Sequence, residues 1–159
     1  MKRPNQTNKK RRRRILKLWT HAQAQTALPY IASVVRSIRE HRLEAQQYHL
    51  TAERLARQPG RPGRTAIIAQ EEAVRDAERA DERFQKAVRE LHIIDVYCLD
   101  PMQGLALIPF VYENQLAWFV YDLFDAEPLQ FWRYHADSFE TRRPLAELDS
   151  KPAGDSAVV

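Results

Sequence analysis

The chain of 159 residues has a single cysteine, Cys98, so no disulfide can form within it, and a lone thiol fits a reducing, cytoplasmic setting. It has no run of about 18 apolar residues, which excludes a membrane-spanning helix. Ile15-Leu16-Lys17-Leu18-Trp19 is too short and too charged for the core of a signal peptide. Glycine is scarce, and Gly60 and Gly63 have neither a strand before them nor a Lys-Ser/Thr pair after them, so they form no phosphate loop. The histidines lack metal-chelating spacing: His41 and His49 are eight positions apart, about 80° from each other around a helix. There is no Glu-x-x-His pair for a carboxylate-bridged centre either, so no metal and no cofactor are expected.

Acid is absent from the first 39 residues. Nine of the 25 basic residues (Lys2, Arg3, Lys9, Lys10, Arg11, Arg12, Arg13, Arg14 and Lys17) occupy the first 17 positions, leaving 16 basic against 21 acidic residues in 18–159. The net charge of +4 is therefore +9 on a short segment and −5 on the remainder. Residues 1–17 lack apolar periodicity and read as a disordered basic tail. Such a tail binds nucleic acid, or another anionic surface, by releasing counterions. No aromatic side chain interleaves the Arg run, so base-specific readout is not expected. A membrane surface fits less well, because the apolar anchor beside the charge is small.

Order begins at Trp19. Thr20 with Gln23 makes a capping box, and Trp19 stands at the staple position before it. A short helix is expected from His21 to Ala27, ended by Pro29, which then opens a second helix running to about Arg57. Ile31, Val35, Ile38, Ala45, Ala52 and Leu55 form its apolar stripe. Gln58-Pro59-Gly60-Arg61-Pro62-Gly63 breaks the pattern. A third helix is expected from Thr65 to Leu91, with Ile67, Val74, Ala77, Ala80, Phe84, Val88 and Leu91 near heptad spacing. The two long helices form an antiparallel hairpin with arms of about 40 Å.

From Ile94 the texture becomes β-like. Ile94–Leu99, Leu105–Tyr112, Gln115–Leu123 and Leu129–Tyr134 are separated by turn residues and predict a small antiparallel meander. Pro109 marks an edge or a bulge. Alternation sets Trp118 and Val120 on one face, and Phe119 and Tyr121 on the other. The expected fold is α+β: a short N-terminal helix, a long helical hairpin and a small C-terminal sheet. Its parts are a tail over 1–17, one domain over 18–145, and a disordered tail over 146–159.

Two blocks carry a resemblance. Trp19-Thr20-His21-Ala22-Gln23-Ala24-Gln25-Thr26-Ala27-Leu28-Pro29 is one. Asp100-Pro101, Gly104-Leu105, Phe131-Trp132 and Phe139-Glu140-Thr141-Arg142-Arg143-Pro144-Leu145 are the other. Together they resemble a family of small bacterial proteins, domain of unknown function 2203, over about residues 18–145. The resemblance implies the same hairpin-plus-sheet architecture and no assigned activity. The family's Lys before Asp-Pro, its acid before Phe-Pro, its Cys-Trp and its Tyr-Trp-His fall on Leu99, Leu107, Val120-Tyr121 and Phe131-Trp132-Arg133 here. Of the polar positions the family pattern carries, Asp100 and Arg142 survive.

These features favour a non-enzymatic interaction protein tethered by its tail to nucleic acid or a ribonucleoprotein, and homodimeric through residues 29–91. One alternative is a hydrolase or transferase using Asp100 and Arg142 beside an aromatic cleft with Tyr121 and Trp132. The ordinary roles of those residues are a β-turn for Asp100-Pro101 and core packing for the aromatics. Another alternative is a scaffold whose hairpin binds a partner helix.

Overall fold

A computed structural model describes residues 15–149. Thr20 caps the first helix as its spacing requires: its hydroxyl accepts from the Gln23 amide, and the Gln23 side chain accepts from the Thr20 amide. That helix, α1 (His21–Ala56), does not stop at Pro29. The expected separate N-terminal helix is therefore absent, and its residues are the first two turns of α1. Pro29 and Gln25 are both exposed, so the Gln25 carbonyl that loses its amide partner faces water instead of the core. On that face an interior proline is tolerated.

After the Pro-Gly turn, α2 (Arg64–Ile93) returns against α1. At about 1.5 Å per residue the arms are about 54 and 45 Å long. Of the α1 stripe, Ile31, Val35, Ile38 and Ala45 are buried, with Val34 beside them, while Ala52 and Leu55 near the turn are half-buried. On α2 the seam differs from the expected one. Ala73, Ala77, Ala80, Ala87 and Leu91 are buried, whereas Ile67 and Val74 remain 44 % and 41 % exposed. An alanine seam lets helix axes approach closely, so only the innermost stripe is covered and the branched side chains beside it splay onto the flank. Two cross-helix pairs hold the register, one on each flank: His49 Nε2 to Asp81 Oδ2 at 2.8 Å and Arg83 Nη2 to Glu44 Oε2 at 3.4 Å.

Asp95, in a left-handed conformation (φ 57°), turns the chain from α2 into the sheet. The strands are β1 (Tyr97–Asp100), β2 (Leu105–Tyr112), β3 (Gln115–Asp122), β4 (Leu129–Tyr134) and β5 (Arg143–Pro144), antiparallel in the order β1-β2-β3-β4-β5. Glu113 and Asn114 take φ 51° and 59°, the geometry of a two-residue hairpin turn whose twist matches the strands. The sequence predicts four strands; the fifth, β5, is only two residues long and leaves no alternating pattern to read. Residues 146–149 are not a tail: Ala146–Asp149 form a helical turn, α3, and Leu148 packs on the core.

The two sheet faces separate as alternation requires. Ala106, Ile108, Phe110, Ala117, Phe119, Tyr121 and Trp132 meet the base of the hairpin, with Phe110 stacked on Phe119 at 3.9 Å. Leu107, Trp118 and Val120 form a second cluster on the other face, with Tyr97, Leu99, Leu116 and Phe131. Pro109 pairs with Trp118 without a bulge. On its other side β1 has already ended, and the Pro109 carbonyl accepts from the Trp19 amide at 2.8 Å. A residue's amide nitrogen and carbonyl point the same way across a sheet, so the proline's missing donor lies on this locally open side.

Candidate functional site

Lys2, Arg3, Lys9, Lys10 and Arg11 to Arg14 lie outside the described residues. Lys17 lies inside them and shows how the basic segment joins the body. Its amide donates to Asp95 Oδ2 at 2.9 Å, and its Nζ stands 4.0 Å from the centre of the Trp19 ring. The Trp19 indole is buried and donates to the Ile94 carbonyl at 3.2 Å. The basic segment thus leaves from a fixed point at the sheet edge, at the opposite end of α1 from the hairpin turn.

The four candidate pocket residues do not converge. Asp100 ends β1, and its Oδ1 accepts from the amides of Met102 and Gln103 at 2.9 and 3.1 Å, the side-chain turn that Asp-Pro favours. Arg142 precedes β5 at the opposite edge. Four strand spacings of about 4.8 Å separate those edges, roughly 19 Å. Tyr121 and Trp132 point into the hairpin-covered core. Burial raises the Tyr121 phenol above its ordinary pKa, against the pull of Arg36 and with the push of Asp122. Trp132 donates to the Pro144 carbonyl at 3.1 Å. Both fill the core and line no cleft.

The structure instead gathers charge and aromatics where β4 meets β5. After Tyr134 the chain makes a tight turn in which Asp137 Oδ2 accepts from the Tyr134 amide at 2.9 Å. It returns as β5 with Trp132 opposite Arg143. That pairing brings the Arg143 guanidinium onto Asp137 through two bonds, Nε to Oδ2 at 2.8 Å and Nη2 to Oδ1 at 3.0 Å. The clamp, first of all, holds the Asp137 carboxyl below the usual carboxylate range. The same guanidinium lies 4.9 Å from the Tyr134 ring and 5.6 Å from Trp132. Arg133 points to the other face, where it pairs across strands with Trp118 and is only 4 % exposed. Burial lowers its pKa, Asp137 raises it and Arg142 lowers it.

This corner holds three guanidiniums and the clamped Asp137 carboxylate, with Glu113 accepting from the Tyr134 hydroxyl and Glu147 acting on Arg143 through its charge. Sequence reasoning found only Arg142 of it. The available signal was Arg133, a lone cation inside the apolar run Phe131-Trp132-Arg133-Tyr134. Asp137 had no sequence signal, since its role depends on the return of β5. Among the described residues, no group of three His, Cys, Asp or Glu side chains is placed to hold a metal ion. No helix among them is long and apolar enough to cross a membrane.

The fold and this corner define a class: a two-helix hairpin seated on one face of a five-stranded antiparallel meander, with Lys17 and Trp19 strapped to the body before the first helix. Residues 17–145 match the family model described as an uncharacterized conserved protein, DUF2203, and the chain belongs to that family. No curated protein and no solved structure matches it.

Proposed function

We propose that this is a non-enzymatic interaction protein whose basic N-terminal segment tethers it to a polyanion, nucleic acid in the first instance. The observation that carries this reading is the charge division, +9 within 17 residues against −5 on the rest. The Lys17–Trp19 strap supports it, because it gives the segment a firmly held root on the body. Eight phosphate contacts give binding a log–log salt slope of about −7 on duplex DNA. Fluorescence anisotropy with a labelled oligonucleotide between low and physiological salt measures this slope. Deleting residues 1–14 should abolish most of the affinity. A flat salt dependence, or affinity unchanged by the deletion, overturns the tether.

The second element of the proposal is a homodimer through residues 29–91. The alanine seam is closed within the chain, so the support is now the exposed apolar flank of Leu43, Leu50, Ile67, Ile68 and Val74, beyond the reach of the sheet. The enzymatic alternative finds no support in the positions of Asp100 and Arg142, which share no cleft.

A further inference from the structure

Asp95 and Arg133 are the buried charged residues among those described, and they differ in what they are given. Asp95 receives the Lys17 amide. Arg133 receives little. Its Nη1 donates to the Asp137 carbonyl at 3.0 Å, while its Nε is enclosed with no hydrogen-bond partner. The Asp137 carboxylate acts on it only through its field, because both oxygens are taken by Arg143 and the Tyr134 amide. An enclosed guanidinium without its own anion is costly, and a fold that keeps one invites a ligand explanation.

The surroundings point to the ligand's charge. Arg142 is exposed on the Phe139 loop, where its Nη1 donates to the Phe139 and Thr141 carbonyls at 3.1 and 3.3 Å, and its charge acts on Arg133. His135 continues β4 on the Arg133 face, with its amide donating to the Leu116 carbonyl at 2.9 Å. The His135 Nδ1 accepts from the Trp118 indole at 3.1 Å, and indole nitrogen is only a donor. The neutral ring therefore carries its proton on Nε2, and the exposed side chain offers that donor to solvent. Over Arg133 stands the Phe139 ring, 5.2 Å from the guanidinium carbon. Phe139 is 70 % exposed, an apolar ring held in water on the short loop tied by Ser138 and Thr141.

We propose that Arg133, with Arg142 and the His135 Nε2–H, is a phosphate-binding site that the Phe139 ring covers when empty. With the Phe139 ring displaced, the guanidinium edge of Arg133 that it covers and the exposed Arg142 present charged N–H donors suited to phosphate oxygens, and Asp137 is already engaged by Arg143. Phe139 stands in for the ligand by cation–π attraction, and swings outward when an anion takes its place. A nucleic-acid backbone or nucleotide phosphate and free phosphate present the same oxygens. Nucleic acid as the source rests on the polyanion reading above, whereas the phosphate chemistry stands without it.

The enclosed Arg133 Nε–H gives the readout. In the full-length chain its proton–nitrogen NMR signal is assigned by its loss in Arg133→Lys, then followed during titration with inorganic phosphate, a nucleoside monophosphate and a short oligodeoxynucleotide. Sodium chloride at matched ionic strength is the control. A saturable shift with phosphate-bearing ligands and none with chloride is expected. Arg142→Ala should weaken it about tenfold, the value of a charged hydrogen bond. Phe139→Ala, which removes an exposed ring, should tighten it. If Arg133→Lys does not fold, these two surface variants carry the test. An oligonucleotide that displaces inorganic phosphate at lower concentration identifies backbone phosphate as the source; equal competition identifies free phosphate. No saturable shift with any of the three ligands, or shifts indifferent to Arg142→Ala, overturn the site. A tether that fails the deletion test while the Arg133 shift persists removes the nucleic-acid tail reading and leaves the site.

Discussion

At the scale of single residues, the Asp137–Arg143 clamp has a clear pH signature. Asp137 titrates below the about 3.9 of an unfolded aspartate, chiefly because Arg143 hydrogen-bonds its ionised form. A depressed acid contributes its full stabilisation above the unfolded value and loses it as pH falls through the lower folded value. Carboxyl NMR titration should therefore place Asp137 below its ordinary range, and Arg143→Ala should return it toward about 3.9. A titration unaffected by Arg143→Ala would falsify the clamp. Cys98 behaves oppositely. Burial, then the charge of Asp100, pushes its thiol up to about 11. Alkylation near pH 8 should run roughly a hundredfold slower than for a free thiol, since the thiolate is the nucleophile. Labelling at the rate of a model thiol would contradict that environment. The cysteine thus serves as a small apolar strand residue.

At the scale of elements, Pro29 tests how much of α1 is held by packing. The helix continues through it although the Gln25 carbonyl has no amide to receive. Ala24, Ile31, Val34 and Val35 on either side are buried against the sheet and α2, and this burial outweighs the local cost. Pro29→Ala restores the missing bond on an exposed face. It should raise stability by about 1–3 kcal/mol, up to the full difference between proline and alanine inside a helix. Denaturant unfolding measures it, and a destabilised variant would mean that the ring makes contacts that matter. The α2 seam teaches the complementary point. Periodicity located a stripe on α2, and its Ala77, Ala80 and Leu91 are buried and its Phe84 and Val88 half-buried, but Val74 looked like a member because it is the larger apolar residue. Close approach of two helices instead buries Ala73, and adds Ala87 beside Val88.

At the scale of the molecule, the sheet covers only the base of a hairpin about 54 Å long, and the distal arm rests on its alanine seam and the cross-helix pairs beside it. A second copy laid along the flank of Ile67, Ile68 and Val74 would bury what the sheet leaves exposed. Light scattering at micromolar concentration should then report twice the 18.6 kDa of one chain. Ile67→Glu with Val74→Glu should return it to one, by burying like charges across the interface. A mass of 18.6 kDa for the unaltered protein removes the dimer.

The sequence by itself determined the element types, the capping box at Thr20, the antiparallel meander, the two faces of β3, and the separation of basic segment from acidic body. All of these depend on neighbours within a few positions or on composition. The continuity of α1 through Pro29, the burial of Ala73 in place of Val74 on α2, β5 and the packing of Leu148 were decided by tertiary structure, because burial between distant segments overrides local preference. The candidate site divides the same way. Arg142 and Asp100 were legible as polar residues in turns, yet strand order places them on opposite edges. Arg133, Asp137 and Arg143 form a unit only because β5 folds back on β4, and the energy of an enclosed charge depends on what that return brings beside it.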